Sequence, residues 1–176
     1  MRLVHFPLHP GTPPEGRELA EMFAGRDLGA MHHRMQGLMD AEGLPYHRRT
    51  HTYNSRLAQE LGAWADTRPG FEAIHDALYR AYFAEGRDIG DVEVLLDVAR
   101  SVGLPADEAR EVIDTRRFMD RVDADWQESR ASGVTGVPTF ACGGSVVVGA
   151  QPYDALEHLV LHAGARPRRA APSARD

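Results

Sequence analysis

Apolar residues at helical spacing dominate the middle of the chain. Behind Asn54, a residue type that favours helix N-caps, Leu57, Leu61 and Trp64 repeat at i, i+4 and i+7. Comparable apolar stripes follow at Phe71, Ile74, Leu78 and Tyr82, at Val92, Leu95, Leu96, Ala99 and Val102, and at Phe118, Met119, Val122 and Trp126. We therefore predict a series of amphipathic helices in this region.

The segment before these stripes is more varied. Residues 2–6 (RLVHF) have the composition of a short strand, and the prolines and glycines of residues 7–16 predict a loop. Residues 17–25 and 28–43 are candidate helices. Residues 44–53 (LPYHRRTHTY) are predicted to be a polar connector.

The pattern changes from helical to extended at Val137. The runs VPTFAC and SVVVGA are typical of short strands, and the Gly143-Gly144 pair between them predicts a hairpin. Pro152 suits the start of a last helix that carries Leu156, Leu159 and Val160, and residues 165–176 are predicted to be a disordered tail. The order of strand, helices, hairpin and helix predicts an α/β fold with a large all-helical insertion.

The composition of the chain argues against several classes of function. A formal net charge of −6 argues against a nucleic-acid partner. The chain has no long apolar run and no signal-peptide pattern, so we expect a cytoplasmic protein that does not bind a membrane. Its single cysteine, Cys142, excludes an internal disulfide and any Cys-x-x-Cys motif.

Pro138 is the residue with the most direct chemical implication. It stands where the chain enters a predicted strand, although a proline cannot donate to a sheet ladder. One interpretation is a trans proline at the first position of the strand. The other is a cis Val137–Pro138 bond, which would turn the chain sharply and leave the Val137 backbone free to pair with an extended segment. The residues alone leave both interpretations open.

The segment GVTGVPTF, a Gly-Gly hairpin and the segment GAQPYDAL together resemble the C-terminal signature of the DsbA-like thioredoxin superfamily. The FrnE-like branch of dithiol–disulfide isomerases is the more similar one. Residues 7–16 resemble its proline-rich loop, residues 81–109 its helical insertion, and residues 54–65 its Asn-Thr-x-x-Ala-His-Arg-Leu segment. In the last of these, Ser55 replaces the threonine, and Gln59 and Glu60 replace the His-Arg pair.

The resemblance implies a DsbA-type thioredoxin-like fold. Its core would comprise residues 1–16 and 132–164, and its helical insertion residues 17–131. It also implies a cis Val137–Pro138 bond that faces a redox site, with the Val137 backbone pairing with an extended substrate. The implied substrate-binding residues are Val137, Pro138, Thr139, Gly149, Ala150 and Gln151. For Gln151 a purely structural role at the start of the last helix stays open.

The family's catalytic Cys-Pro-x-Cys pair has no counterpart in this sequence, so we predict no catalytic residue in this chain. Residues 2–6 match the family's second strand, which means that the pattern of its first βα unit, roughly 30 residues long, is absent. The strand of that unit lies inside the family's sheet, so its loss would leave backbone N–H and C=O groups of the neighbouring strands unpaired. We expect either that the natural polypeptide begins upstream of Met1 or that a partner chain, in a homodimer for example, fills the gap.

The remaining candidate residues give weaker indications of function. Cys142 is predicted to lie roughly 13 Å along the strand from Pro138, in a structural role. No metal site or cofactor is predicted, because the adjacent His32 and His33 cannot face one ion, and His47 and His51 have no accompanying ligand set. The aromatic residues Tyr79, Tyr82 and Phe83 fit either the core or the wall of a substrate groove.

The leading hypothesis is a thiol–disulfide oxidoreductase or isomerase that acts on protein thiols and disulfides, present here without its reactive cysteine pair. Two alternatives remain. One is a redox-inactive module that binds extended peptides through the cis-proline groove. The other is a kappa-class, glutathione-dependent isomerase, a class that resembles this fold but typically lacks the Gly-Ala-Gln-Pro run.

Overall fold

The computed structural model describes residues 2–166, so most of the predicted tail at 165–176 lies outside the described residues. The chain divides into two compact units, Met1–Gln127 and Glu128–Asp176. The regular elements are β1 (Arg17–Glu18), α1 (Leu19–Met22), α2 (Leu28–Ala41), β2 (His51–Thr52), α3 (Arg56–Ala65), α4 (Ala73–Tyr79), a π-helical turn (Arg80–Ala84), α5 (Val92–Ser101), α6 (Ala106–Thr115), α7 (Met119–Ala131), β3 (Thr139–Cys142), β4 (Ser145–Val148) and α8 (Tyr153–His162).

Helices α3 to α6 form the hydrophobic core of the first unit. Leu61, Ile74, Leu95 and Val112 are inaccessible to solvent there, and Trp64 is 1% exposed. These side chains belong to the apolar stripes predicted for α3, α4 and α5, or extend them into α6. The helical period therefore identified this core correctly, with the exception of Met119, which is 41% exposed at the start of α7.

The prediction of a strand over residues 2–6 is wrong, because these residues form no regular element. A strand exists only where a neighbouring backbone completes its ladder, and the segment meets side chains instead. The backbone N–H of His5 donates to the carboxylate of Asp125 at 3.3 Å, and the His5 ring nitrogen Nδ1 lies 2.8 Å from the same oxygen.

The helix predicted over residues 17–25 shortens to the single turn of α1. The two residues before it pair antiparallel with the polar connector instead, with Arg17 opposite Thr52 and Glu18 opposite His51. The close approach depends on Gly16, at φ 82°, because a Cβ there would lie 2.7 Å from the Thr52 carbonyl oxygen. The connector is thus held by a small two-stranded sheet.

Asn54, the predicted N-cap of α3, stabilises the start of the helix from one position before the observed cap, Ser55. Its side-chain oxygen accepts a hydrogen bond from the Arg56 N–H at 2.9 Å, while its amide donates to the Thr12 carbonyl at 2.6 Å. The same side chain therefore satisfies an orphan helix donor and holds the proline-rich loop.

The second unit contains the predicted hairpin and last helix. Strands β3 and β4 pair antiparallel from Thr139 opposite Val148 to Cys142 opposite Ser145. Gly143 and Gly144 have φ values of 56° and 82°, the left-handed backbone that a tight two-residue hairpin turn requires. Helix α8 follows Pro152 and buries Leu159.

Candidate functional site

The six predicted substrate-binding residues meet at one end of the β3–β4 hairpin. Thr139 begins β3 and Val148 ends β4, and the two residues lie opposite each other in the ladder. The chain segments that flank them, 137–138 and 149–151, are therefore neighbours. Hairpin register, which follows from the Gly-Gly turn, brings the two sequence segments together.

The Val137–Pro138 peptide bond is cis, the geometry that the family resemblance implies. The Pro138 carbonyl accepts a hydrogen bond from the Gly149 N–H at 2.8 Å, which extends the hairpin pairing by one step. The Thr139 hydroxyl donates to the Gly136 carbonyl at 2.6 Å. Both bonds fix the residues on either side of Val137.

The Gly-Ala-Gln segment is a turn with one side-chain anchor. Gly149 has a φ of 86°, a conformation that L-residues with a side chain rarely adopt. The Gln151 side-chain amide donates to the Val148 carbonyl at 2.9 Å, and Ala150 is exposed. Gln151 thus has a structural partner, in agreement with the alternative left open for it.

One face of the hairpin is open to solvent. Val137 is 48% exposed, Val146 57% and Val148 51%. Because side chains alternate along a strand, Phe140 and Val147 point to the other face, where they are half-buried. An apolar surface therefore continues from the cis-proline loop along the exposed side of β4.

Cys142 ends β3, at the opposite end of the strand from the cis-proline loop. Its thiol is free and half-buried. It shares its face of the hairpin with Phe140 rather than with Thr139, because residues two apart along a strand point to the same side. The predicted separation of Cys142 from Pro138 along the strand is confirmed by the register.

A buried carboxylate in α3 is the strongest electrostatic feature of the first unit. The Glu60 side chain is inaccessible, and it accepts hydrogen bonds from Arg56 at 2.7 Å and from Arg116 at 2.7 and 2.8 Å. Burial raises the pKa of Glu60, but the hydrogen bonds from Arg116 and Arg56 outweigh it and leave the pKa below its usual 4.5. Glu60 stays ionised and ties α3 to the residue that caps α6.

A second buried carboxylate, Asp125 of α7, contacts the N-terminal segment. His5 lies 2.8 Å from it, and the guanidinium groups of Arg2 and Arg121 lie 3.7 and 3.6 Å away. Burial lowers the pKa of His5 below 6.5 even though Asp125 acts in the opposite sense. This network holds residues 2–6 in place and explains how the segment is ordered without a strand.

The three candidate aromatic residues differ in burial. Tyr82 packs against the core and its hydroxyl lies 3.0 Å from the Thr52 hydroxyl, whereas Tyr79 is 64% exposed. Phe83 stacks on Tyr79 and meets Tyr82 edge-on, with ring centroids 4.8 Å apart in the second pair. The Arg49 guanidinium lies over Tyr82 and Phe83, a contact that no sequence pattern indicates.

Within residues 2–166, no three histidine, cysteine or carboxylate side chains converge as a metal site would require. His32, one of the histidines considered, contacts the Tyr46 hydroxyl at 2.7 Å. Over the same described range, no helix is both long and apolar enough to cross a membrane.

Three comparisons with known proteins bear on these observations. The DSBA-like thioredoxin domain family matches residues 1–160. The structure of a protein from Streptomyces coelicolor, described as a probable DsbA oxidoreductase, superposes with a TM-score of 0.81 at 31% identity, over 95% of this chain and 76% of that one. A candidate protein disulfide isomerase from Nitrosomonas europaea shares the fold, with a TM-score of 0.63 at 17% identity, over 76% of this chain and 72% of that one.

An uncharacterised protein of Bacillus subtilis, YwbO, is 31% identical over 84 residues, which span 47% of this chain and 42% of that protein. The alignment thus covers less than half of this relative's length. The family match extends over nearly the whole chain, and its α/β architecture agrees with the helices and the hairpin described above. The chain belongs to the DSBA-like thioredoxin domain family.

Proposed function

We propose that this chain forms the substrate-presenting part of a thiol–disulfide oxidoreductase or isomerase of the FrnE-like branch, acting on protein disulfides in the cytoplasm. Among residues 2–166, no hydrogen bond engages the backbone of Val137, although its neighbours on both sides are fixed. An extended polypeptide could pair with that free backbone. This observation carries the proposal.

The surface beside Val137 suits such a ligand. Val148 and, further along β4, Val146 offer exposed apolar contacts, so an extended peptide could gain hydrogen bonds and side-chain burial together. In this proposal Pro138 keeps the loop geometry, and Ala150 and Gln151 border the loop. Thr139 holds the loop through its hydroxyl and Gly149 through its backbone N–H. Residues 1–16 and 132–164 would form the thioredoxin-like core and residues 17–131 the insertion.

The cysteine count favours a second candidate function. Cycling between dithiol and disulfide needs two cysteines, and this sequence has one. A redox-inactive module that holds extended peptides at the same loop would need none. Both functions use the Val137 backbone, but only the first predicts disulfide reduction by the native protein.

The test uses a fluorophore-labelled, unstructured peptide and measures its binding by polarisation. Val137→Pro removes the N–H that would donate to the peptide, whereas Val137→Ala keeps it. We expect Val137→Pro to weaken binding at least tenfold and Val137→Ala to weaken it less than threefold, with unchanged far-ultraviolet circular dichroism in both. Equal binding by the two variants would contradict the proposed backbone pairing.

A disulfide-reduction assay with the native protein separates the two functions. Reduction of a protein disulfide, together with two thiols that titrate beyond Cys142, is the expected result for the oxidoreductase. Peptide binding without reduction would assign the binding module instead.

A further inference from the structure

Arg49 carries a positive charge that the described structure leaves uncompensated. Its guanidinium carbon lies 4.2 Å from the ring centroid of Tyr82 and 4.9 Å from that of Phe83. Two of its nitrogens, Nε and Nη1, are shielded from water and have no hydrogen-bond partner within residues 2–166. Aromatic faces attract a cation but accept no strong hydrogen bond, so this group is only partly satisfied.

Two other stacked arginines of the same unit, Arg56 and Arg68, differ from Arg49 in one respect. Arg56 lies 4.5 Å over the Trp126 ring and also pairs with Glu60 and Asp123. Arg68 lies 4.6 Å over Trp64 and pairs with Glu108. Within the described residues, Arg49 has no carboxylate at ion-pair distance. The fold therefore neutralises the guanidinium groups of Arg56 and Arg68, whereas that of Arg49 keeps its charge available.

Arg49 lines a cleft of about 50 Å³ with a basic and polar wall. The other lining residues are His47, Thr50, His51, Tyr53 and Gly86. On this measure a water molecule needs roughly 10–15 Å³, so the cleft admits several waters or a small oxyanion. None of the lining side chains is acidic, although the net charge of the chain is −6.

The backbone around the cleft is fixed before any ligand binds. The His47 N–H donates to the Phe83 carbonyl at 2.8 Å, and the Leu19 N–H donates to the Thr50 carbonyl at 2.8 Å. Gly86, at φ 68°, lies so close to the His47 ring that a Cβ would approach it to 2.5 Å. Preorganised donors bind an anion more tightly than mobile ones, because less entropy is lost on binding.

The electrostatic surroundings also favour an anion. The pKa of His32, which borders this segment, is lowered first by burial and then by the charges of Arg48 and Arg49. The Glu18 carboxylate lies 3.8 Å from His51 Nε2. Glu85, next to Gly86, is engaged with Arg87 at 3.8 Å.

We propose that the cleft formed by Arg49, His47, Thr50 and His51 binds an oxyanion of the phosphate or carboxylate class. The Arg49 guanidinium would supply the charge and a planar fork of donors, and the Thr50 hydroxyl and the two imidazoles would complete the site. This inference does not rest on the proposed redox or peptide-binding function, because all of its residues lie in Met1–Gln127.

The test titrates the ¹⁵N-labelled protein with inorganic phosphate and, separately, with acetate at constant ionic strength, using chloride as the reference salt. We expect saturable shifts of the Arg49 Nε–H signal and of the His47 and His51 ring signals with one or both oxyanions. Saturation by phosphate alone identifies a phosphate site, and saturation by acetate identifies a carboxylate site. The absence of saturable shifts with both anions would overturn the proposal, whatever happens to any variant.

The matched variants are Arg49→Gln and Arg48→Gln, which remove the same charge at adjacent positions. We expect Arg49→Gln to weaken the anion at least tenfold and Arg48→Gln, at an exposed residue outside the cleft lining, to weaken it less than twofold. Arg49→Lys, which keeps the charge but not the fork, serves if Arg49→Gln does not fold, and should weaken binding by a similar factor. Equal losses in the Arg48 and Arg49 variants would show nonspecific attraction and contradict the site.

Discussion

The two compact units differ in how far they bury their apolar side chains. The first has a continuous core across α3 to α6, in which Leu61, Ile74 and Leu95 are inaccessible. In the described part of the second unit, Leu159 is the one buried apolar side chain. Val146, Val148 and Tyr153 are more than half exposed there. Burial is the main source of folding free energy, so the first unit should supply most of the stability.

This difference in packing accounts for the properties of the two proposed sites. The anion cleft lies on a well-packed unit and its donors are fixed in advance, as a small-ligand site requires. The cis-proline loop lies on a hairpin with little buried area, where local opening costs less free energy. An exposed, apolar hairpin edge is suited to an extended chain, whose own backbone and side chains complete the packing.

The largest effect on stability is expected when a leucine is replaced by alanine in the first unit, and the same replacement in the second unit is the comparison. Leu61→Ala removes an inaccessible side chain and should lower the free energy of unfolding by about 2–5 kcal/mol. Leu161→Ala removes the same atoms from a side chain that is 43% exposed, and should cost about 0.5 kcal/mol or less. Urea unfolding followed by circular dichroism measures both. Similar losses would contradict the contrast between the units.

Glu60→Ala should cost about 2 kcal/mol, because it removes a buried carboxylate that accepts charge-assisted hydrogen bonds from Arg56 and from the 42% exposed Arg116. Glu111→Ala is the matched control: its side chain is 66% exposed and lies 3.9 Å from Arg117, an ion pair expected to contribute under about 1 kcal/mol. The same urea experiment compares them. A small loss in Glu60→Ala would mean that the arginines regain hydration and that the core of the first unit is looser than described.

The hairpin turn provides the next test, on the second unit. Gly144→Ala places a side chain at φ 82° in open space, and should cost about 1–2 kcal/mol for the left-handed backbone alone. Gly143→Ala adds a contact of 2.7 Å with the Ala163 Cβ and should cost more. Hydrogen exchange at the amides of β3 and β4 reports this loss locally. Equal exchange in the two variants would show that Ala163 is not held against the turn.

The smallest expected effect concerns acid stability. Because the pKa of Glu60 in the folded protein lies below 4.5, its ionised form stabilises the fold above that pH, and this contribution is lost as the pH falls through the folded pKa. Between pH 6 and pH 3 the wild type should therefore lose more stability than Glu60→Gln. His5 cannot produce this difference, because its titration is common to both proteins. Parallel curves would contradict the lowered pKa.

Local chemistry explains the elements that the sequence predicted well. The 3.6-residue period placed Leu61, Ile74 and Leu95 on buried faces, and the Gly-Gly pair fixed both the hairpin and its register. The cis state of the Val137–Pro138 bond is different: the residues alone left it open, and the family resemblance implied it. Sequence motifs and hydrophobic periodicity together therefore predict where the candidate loop lies, but they do not predict that the Val137 backbone is free of hydrogen bonds.

The sequence by itself determined the helices, the hairpin and the family, because their signals come from neighbouring residues and from segments that match in order. Tertiary structure alone decided the irregular path of residues 2–6, the burial of Glu60 and the uncompensated charge of Arg49. Each depends on partners far away in the chain: Asp125 for His5, Arg116 for Glu60, and Tyr82 with Phe83 for Arg49. Such pairings leave no periodic trace, since the free energy of a buried charge depends on what the fold places around it.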